Sequence, residues 1–102
     1  MMLTNEIIYS RINSTKKTTY TLRRHQDSRG FYVIDNTGEQ ITGVMNYSEA
    51  ECDMKRYNIE KDCVEGYFHH INKVDLLLAL VSKYGVAYHD YIIEQINIAY
   101  KG

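Results

Sequence analysis

The chain has 102 residues, of which 44% are hydrophobic and 25% are charged, an ordinary composition for one globular domain, and we expect that domain to span residues 1–102. The formal net charge of −1 excludes a protein that attracts nucleic acid or membranes by its total charge. No apolar run approaches the roughly 18 residues of a membrane-spanning helix and the first residues lack a signal-peptide pattern, so we expect a cytoplasmic protein with no membrane contact.

Residues 1–45 are predicted to be rich in strands. Several short runs in this part are β-branched and aromatic, or alternate between apolar and polar residues, as strands do. Gly30 and Gly38 follow polar residues in the way that is typical of tight turns. The pattern predicts an antiparallel meander of three or four strands. The predicted strands are residues 7–12, 18–25, 31–35 and 40–45.

Residues 46–102 are predicted to be helical. Ser48 and Glu51 have the spacing of a capping box, which predicts a helix from there to about residue 58. Residues 60–71, which Gly66 is expected to interrupt, are ambiguous between a short helix and an irregular link. Asn72, with Asp75 three residues later, predicts the start of the next helix, which ends at Gly85. Strands followed by helices indicate an α+β fold, with a C-terminal helical hairpin packed on one face of the sheet.

The last two predicted helices contain more apolar residues than one small domain normally buries. In residues 87–102 the polar side chains fall on a single narrow stripe, and the rest are mainly Tyr, Ile and Ala. The sheet and the preceding helix could cover all of them. We instead expect a surface for a protein partner or a second copy, in a homodimer, because large apolar patches are rare on monomers. Its predicted residues are Tyr88, Tyr91, Ile92, Ile93, Ile98 and Tyr100.

The cysteines and histidines do not have the spacing of a metal site. A zinc site needs about four converging ligands, usually paired at short spacing, whereas Cys52 and Cys63 are far apart and His69 and His70 are adjacent. We expect two free thiols, no metal and no cofactor.

Nor does the chain contain a recognisable catalytic set. Cys63 with His69 or His70 could act as a nucleophile and base, but the acidic neighbours of Cys63 disfavour a thiolate. His89 and Asp90 could pair, but sequence neighbours on a helix are expected to point apart. We therefore expect a protein that is not an enzyme.

The strand-rich part, residues 1–45, has six basic and four acidic residues, so its basic side chains could contact nucleic acid. Arg23 and Arg24 are expected on opposite faces of one strand. The alternative is a solvated strand edge whose charges prevent pairing between sheets. The candidate contacts are Lys16, Lys17, Arg23, Arg24 and Arg29.

Residues 19–58 resemble the arm-binding domains of tyrosine recombinases. Three predicted strands precede the sequence Asn46-Tyr47-Ser48-Glu49-Ala50-Glu51 and a helix, as in that family, where the turn has the form T/S-x-x-E-A. The resemblance implies that Arg23, Arg24 and Arg29 contact DNA. The chain departs from the family because it has no recombinase catalytic domain and its strand region is only slightly basic.

The sequence as a whole favours a small non-enzymatic binding protein. Its size, near-neutral charge and lack of a catalytic set resemble the small accessory proteins of phages and mobile elements, of which anti-CRISPR proteins are one type. That resemblance implies inhibition of a host complex through protein–protein contacts. The alternative is a DNA-binding or regulatory module that uses the basic strands.

Overall fold

The computed structural model describes residues 4–13 and 19–101. Within these ranges the fold is α+β, with four α-helices, one 3-10 turn and one two-stranded antiparallel sheet. The elements are α1 Asn5–Ile12, β1 Thr21–Arg24, β2 Phe31–Ile34, α2 Tyr47–Phe68, α3 Lys73–Tyr84, the 3-10 turn Val86–Tyr88 and α4 His89–Ala99.

The described residues group into two compact units. Unit 1 contains residues 4–13 and 59–101, and unit 2 contains residues 19–58. Helices α3 and α4 belong to unit 1 and the sheet belongs to unit 2, so the packing of the hairpin on the sheet stays a prediction, as does the single domain. No helix among the described residues is both long and apolar enough to cross a bilayer.

The strand predicted at residues 7–12 is wrong, because this segment lies in helix α1. The Thr4 hydroxyl caps the helix by accepting a hydrogen bond from the Ile7 N–H at 3.3 Å. Ile8 and Ile12, four residues apart, are both buried, which is the spacing of a helix face. The β-branched residues that suggested a strand are therefore held in a helix by its cap and by tertiary packing.

The sheet of unit 2 has two regular strands instead of three or four. Strands β1 and β2 pair in an antiparallel register that places Leu22 opposite Val33. Residues 40–45 make only isolated bridges to β2. The Val33 N–H donates to the Thr42 side-chain oxygen at 3.1 Å. In a regular third strand a backbone carbonyl would accept this hydrogen bond, so the Thr42 side chain replaces it.

The turn after β2 is organised by Asp35. Its carboxylate accepts hydrogen bonds from the Thr37 hydroxyl at 2.6 Å and from the Thr37 and Glu39 N–H groups at 2.9 and 3.0 Å. These bonds, the hydroxyl first, lower the pKa of Asp35 below its ordinary value. Gly38 has φ 88°, a conformation that glycine adopts without steric cost.

Helix α2 begins two residues earlier than the predicted capping box. Asn46, not Ser48, caps it: the side-chain oxygen Oδ1 of Asn46 accepts from the Glu49 N–H at 2.8 Å, and its Nδ2 donates to the Glu49 carboxylate at 2.9 Å. The helix then runs without interruption to Phe68 and includes most of the segment that was ambiguous.

Helix α2 continues past Gly66 and ends in a glycine-type cap at His70. The Ile71 N–H donates to the Gly66 carbonyl and the His70 N–H donates to the Tyr67 carbonyl, while His70 has φ 56°. These are the two bonds and the left-handed residue of a Schellman motif. A Cβ at Gly66 would lie 2.6 Å from Leu76 Cδ2, so glycine allows α2 and α3 to approach closely.

The core of unit 1 joins α1, α3, α4 and the last part of α2. Its members are aliphatic side chains together with the Cys63 thiol. Tyr9 adds a hydrogen bond across this core, since its hydroxyl donates to the Ala79 carbonyl at 2.6 Å. The buried residues are Ile8, Ile12, Ile59, Cys63, Ile71, Leu76, Ala79, Leu80, Ile92 and Ile96.

Helices α3 and α4 follow each other closely, as the sequence predicts. Asn72 caps α3 by accepting from the Val74 N–H at 2.8 Å, and Gly85 ends it with φ 103°. The 3-10 turn then leads directly into α4.

Unit 2 has a smaller core of its own. Val33, Ile34 and Ala50 are buried. The Asn58 side chain is bonded to both backbone groups of Tyr20, at 3.0 Å each, and so ties the approach to β1 to helix α2.

Candidate functional site

An apolar surface lies along α3 and α4 in unit 1. Val74 and Leu78 are 62% and 56% exposed, although both lie within an ordered helix. Val74 and Leu77 line a shallow groove of about 110 Å³, with Lys73 and Asn97 as its polar members. Leu78 lies one helical turn after Val74. We call this surface the α3–α4 face, defined by Val74, Leu77, Leu78, Ile93 and the groove between the two helices.

The α3–α4 face exists because α3 is apolar on more than one side. Leu76, Ala79 and Leu80 fill the core. Val74, Leu77 and Leu78 have the three- and four-residue spacing of a second, adjoining stripe. One helix cannot turn both stripes toward the same core, so the second stays at the surface.

The α4 residues predicted to form a partner surface separate into three groups. Ile92 is 0% exposed and therefore belongs to the core, which corrects its assignment to the surface. Ile93 lines the groove. Ile98 is 60% exposed, but it is not among the groove residues.

The three tyrosines predicted for the same surface are half-buried against the core of unit 1. The Tyr91 hydroxyl donates to Glu60 at 2.7 Å. The Tyr100 hydroxyl donates to the Ile71 carbonyl at 2.7 Å, and burial raises the pKa of Tyr100 to about 12. Tyr88 also packs against this core, so all three tyrosine side chains contribute mainly to the packing of unit 1.

The sequence interpretation missed the contribution of α3. Val74, Leu77 and Leu78 were not predicted as surface residues, yet they carry much of the α3–α4 face. The signal was present in the run Val74 to Val81, which contains only one charged residue, Asp75. The prediction assigned the apolar excess to both helices but named surface residues only on the last one.

A second, polar surface lies in unit 2 around the end of β1. Arg23, Arg24 and Arg29 are all exposed. Arg23 pairs with Tyr32 and Arg24 with Phe31 in the sheet register, so the two arginines leave opposite faces of the strand as predicted. Both line a depression of about 390 Å³. Lys16 and Lys17, the remaining predicted nucleic-acid contacts, lie outside the described residues.

The cysteines and histidines do not converge on a site within the described ranges. No group of three or more His, Cys, Asp or Glu side chains there has the arrangement of a metal site. Both cysteines are free thiols. Burial, followed by the charges of Asp62 and Glu60, raises the pKa of Cys63 to about 12, so this thiol stays protonated at neutral pH and is a poor nucleophile.

The expectation that His89 and Asp90 point apart is wrong. His89 Nδ1 lies 3.1 Å from Asp90 Oδ1, because both residues occupy the exposed first turn of α4, where neither side chain is constrained by packing. The side chains are 45% and 103% exposed, so the pair sits in water and not in a cleft.

Comparison with protein-family models, with curated proteins and with solved structures gave no match to this chain.

Proposed function

We propose that the chain is a non-catalytic binding protein that contacts another protein through the α3–α4 face. The observation that carries this proposal is the exposure of Val74 and Leu78 beside an apolar groove. Apolar side chains that leave water on binding contribute roughly 25 cal/mol per Å², so covering Val74 and Leu78 would favour association.

The shape of the α3–α4 face favours a protein over a small molecule. Small-molecule sites are usually concave and enclose about 300–1,000 Å³, whereas this groove has about 110 Å³. An apolar centre with polar neighbours, here Lys73 and Asn97, is the arrangement of protein interfaces. A groove of this size suits one or two apolar side chains of a partner.

Two kinds of partner agree with the sequence: a second copy of the chain and a host complex. The groove places Lys73 beside Asn97, so the start of α3 lies beside the end of α4, while acidic Asp90 lies at the start of α4. In a twofold dimer whose two α3–α4 faces run antiparallel, Lys73 of one copy would lie near the end of the face that carries Asp90 in the other copy. The opposite charges of these residues support self-association. An inhibitor of a host complex, as the resemblance to mobile-element accessory proteins implies, would use the same face.

Two matched variants test the proposal. Leu78→Lys places a charge in the α3–α4 face, and Ile98→Lys makes the same kind of change at a position of similar exposure outside the groove. Wild type and both variants are compared by sedimentation equilibrium and by quantitative affinity purification from the native source. We expect a dimer or a discrete co-purifying protein with wild type and Ile98→Lys, and its loss with Leu78→Lys.

Each result assigns the partner or removes the proposal. A dimer that Leu78→Lys dissociates identifies a second copy, and a protein lost only with Leu78→Lys identifies another partner. If all three proteins are monomeric and purify with the same background, the α3–α4 face is not a binding surface. If Ile98→Lys alone abolishes binding, the surface lies on the other side of α4.

Nucleic-acid binding by unit 2 is the second candidate function. One observation favours it: Arg23 and Arg24 are both exposed and line one depression at the end of β1. Residues 1–45, which include β1, carry six basic and four acidic residues. Arginine is suited to phosphate because its planar group can donate two parallel hydrogen bonds.

A further inference from the structure

We propose that the depression at the end of β1 binds the phosphate group of a nucleotide, either free or in a single nucleic-acid strand. We call this depression the arginine depression, defined by Arg23, Arg24, His25, Gln26 and Tyr32. Its volume of about 390 Å³ falls within the range of about 300–1,000 Å³ that is usual for small-molecule sites. The proposal is independent of the protein-binding function, since it concerns only unit 2.

The two arginines of the arginine depression are available to a ligand. Among the described residues, neither Arg23 nor Arg24 forms an ion pair with a carboxylate. Asp27 is the one acidic residue among the described lining residues, so two guanidinium groups face a single carboxylate. The depression therefore has an excess of positive charge that an anion can neutralise.

His25 adds a neutral donor because its ring is oriented by the following loop. The Asp27 N–H lies 3.3 Å from His25 Nδ1, and Ser28 Oγ lies 3.1 Å from the same atom. A backbone N–H can only donate, so Nδ1 accepts, and this hydrogen bond assigns the proton of the neutral ring to Nε2. The ring thus carries an N–H that is not used by the loop.

The donors of the arginine depression match a phosphate ester. A phosphate has several oxygen acceptors and at least one full negative charge, so it can accept from more than one of the donors that line the depression. The Gln26 side chain is exposed and supplies further amide donors. A phosphate therefore uses more of this surface than a single carboxylate does.

An aromatic wall beside the arginines favours an ester that carries a base. The rings of His25 and Tyr32 lie 6.4 Å apart at 73°, and both line the depression. Aromatic side chains next to a basic surface stack bases in single-stranded nucleic-acid sites, without much dependence on sequence. A nucleotide satisfies both the charged and the aromatic parts.

The test measures binding of two probes by isothermal titration: adenosine monophosphate and a short single-stranded oligonucleotide. The test variant is the double variant Arg23→Gln/Arg24→Gln, which is compared with wild type. The matched control is Arg29→Gln, because Arg29 is exposed but lies outside the depression. Because hydrogen bonds to charged groups are stronger than those between neutral groups, we expect the double variant to bind both probes at least about tenfold more weakly. Arg29→Gln should change binding by less than about threefold.

A second variant covers the case in which the double variant is misfolded. Gln26→Glu adds a carboxylate to the same depression without removing an arginine, and it should also weaken both probes while its circular dichroism spectrum stays that of wild type. One-to-one binding of adenosine monophosphate assigns a free nucleotide. If only the oligonucleotide binds, and its affinity falls steeply between roughly 50 and 200 mM salt, the ligand is a single nucleic-acid strand.

Three outcomes would overturn the proposal. The first is that neither probe binds wild type at millimolar concentration. The second is that Arg29→Gln weakens binding as much as the double variant, which would mean diffuse charge attraction and not a site. The third is that a poly-glutamate peptide binds as tightly as the oligonucleotide, which would mean that phosphate is not recognised.

Discussion

His70 is the one described residue other than glycine with a positive φ, at 56°. A left-handed conformation is unfavourable by roughly 1–2 kcal/mol for a residue with a Cβ, and the position is the one at which helices ending in a Schellman motif usually have glycine. We expect His70→Gly to raise the free energy of unfolding by about 1 kcal/mol, measured by denaturant titration.

The adjacent histidine is the control for this prediction. His69 has no positive φ, so His69→Gly gains nothing from glycine and should lower the free energy of unfolding. If both variants lower it equally, the left-handed backbone at His70 carries no strain.

The two cysteines should differ strongly in reactivity. Cys63 is 1% exposed and its pKa is raised to about 12, while Cys52 is half-buried. Alkylation with iodoacetamide at pH 8, followed by peptide mass spectrometry, should modify Cys52 well before Cys63 in the native protein. Denaturant should remove the difference, and equal rates in the native protein would contradict the burial of Cys63.

Asp62 links two elements, helix α2 and the end of α3. It is 1% exposed; its Oδ2 accepts from the Tyr84 hydroxyl at 2.6 Å and lies 3.2 Å from Lys83 Nζ. Lys61 Nζ lies 3.4 Å from Oδ1. Burial and this carboxylate together raise the pKa of Tyr84 well above its ordinary value, so the phenol stays protonated and continues to donate.

We expect Asp62→Ala to lower the free energy of unfolding by about 3 kcal/mol, because it leaves the Tyr84 hydroxyl and two lysines without their buried acceptor. Tyr84→Phe removes one hydrogen bond and should lower it by about 1–2 kcal/mol. Glu94→Ala, an exposed acid on α4, is the control and should change it by less than about 0.5 kcal/mol. A similar small effect for Asp62→Ala would mean that the network does not hold the helices together.

The helices with clear end signals were the most predictable elements. Asn72 and Gly85 bound α3 as the sequence predicts, because their local chemistry and the tertiary packing agree. Segment 7–12 was predicted wrongly because its β-branched residues favour a strand locally, whereas the burial of Ile8 and Ile12 at helical spacing comes from contacts with distant residues. Gly66 likewise looked like a helix break, and only the position of Leu76 explains its presence.

For the whole molecule, the sequence predicted the existence of the surfaces proposed for binding but not all of their residues. The excess of apolar residues in the last two helices indicated an exposed face, but the assignment of Ile92 to it failed because a one-residue difference along α4 separates the core from the groove. The placement of Arg23 and Arg24 on opposite faces of β1 could be predicted from strand alternation. Their shared depression could not, because it depends on how the strand ends.

The most direct test of the protein-binding proposal is site-specific photo-crosslinking in the native source. Leu78→p-benzoylphenylalanine places the crosslinker in the α3–α4 face, and Ile98→p-benzoylphenylalanine places it at a similarly exposed position outside the groove. We expect irradiation to give one discrete adduct of higher mass from position 78 and none from position 98, whether the captured protein is a second copy or another chain. No adduct from position 78, or the same adducts from both positions, would contradict the assignment of the α3–α4 face as a protein-binding surface.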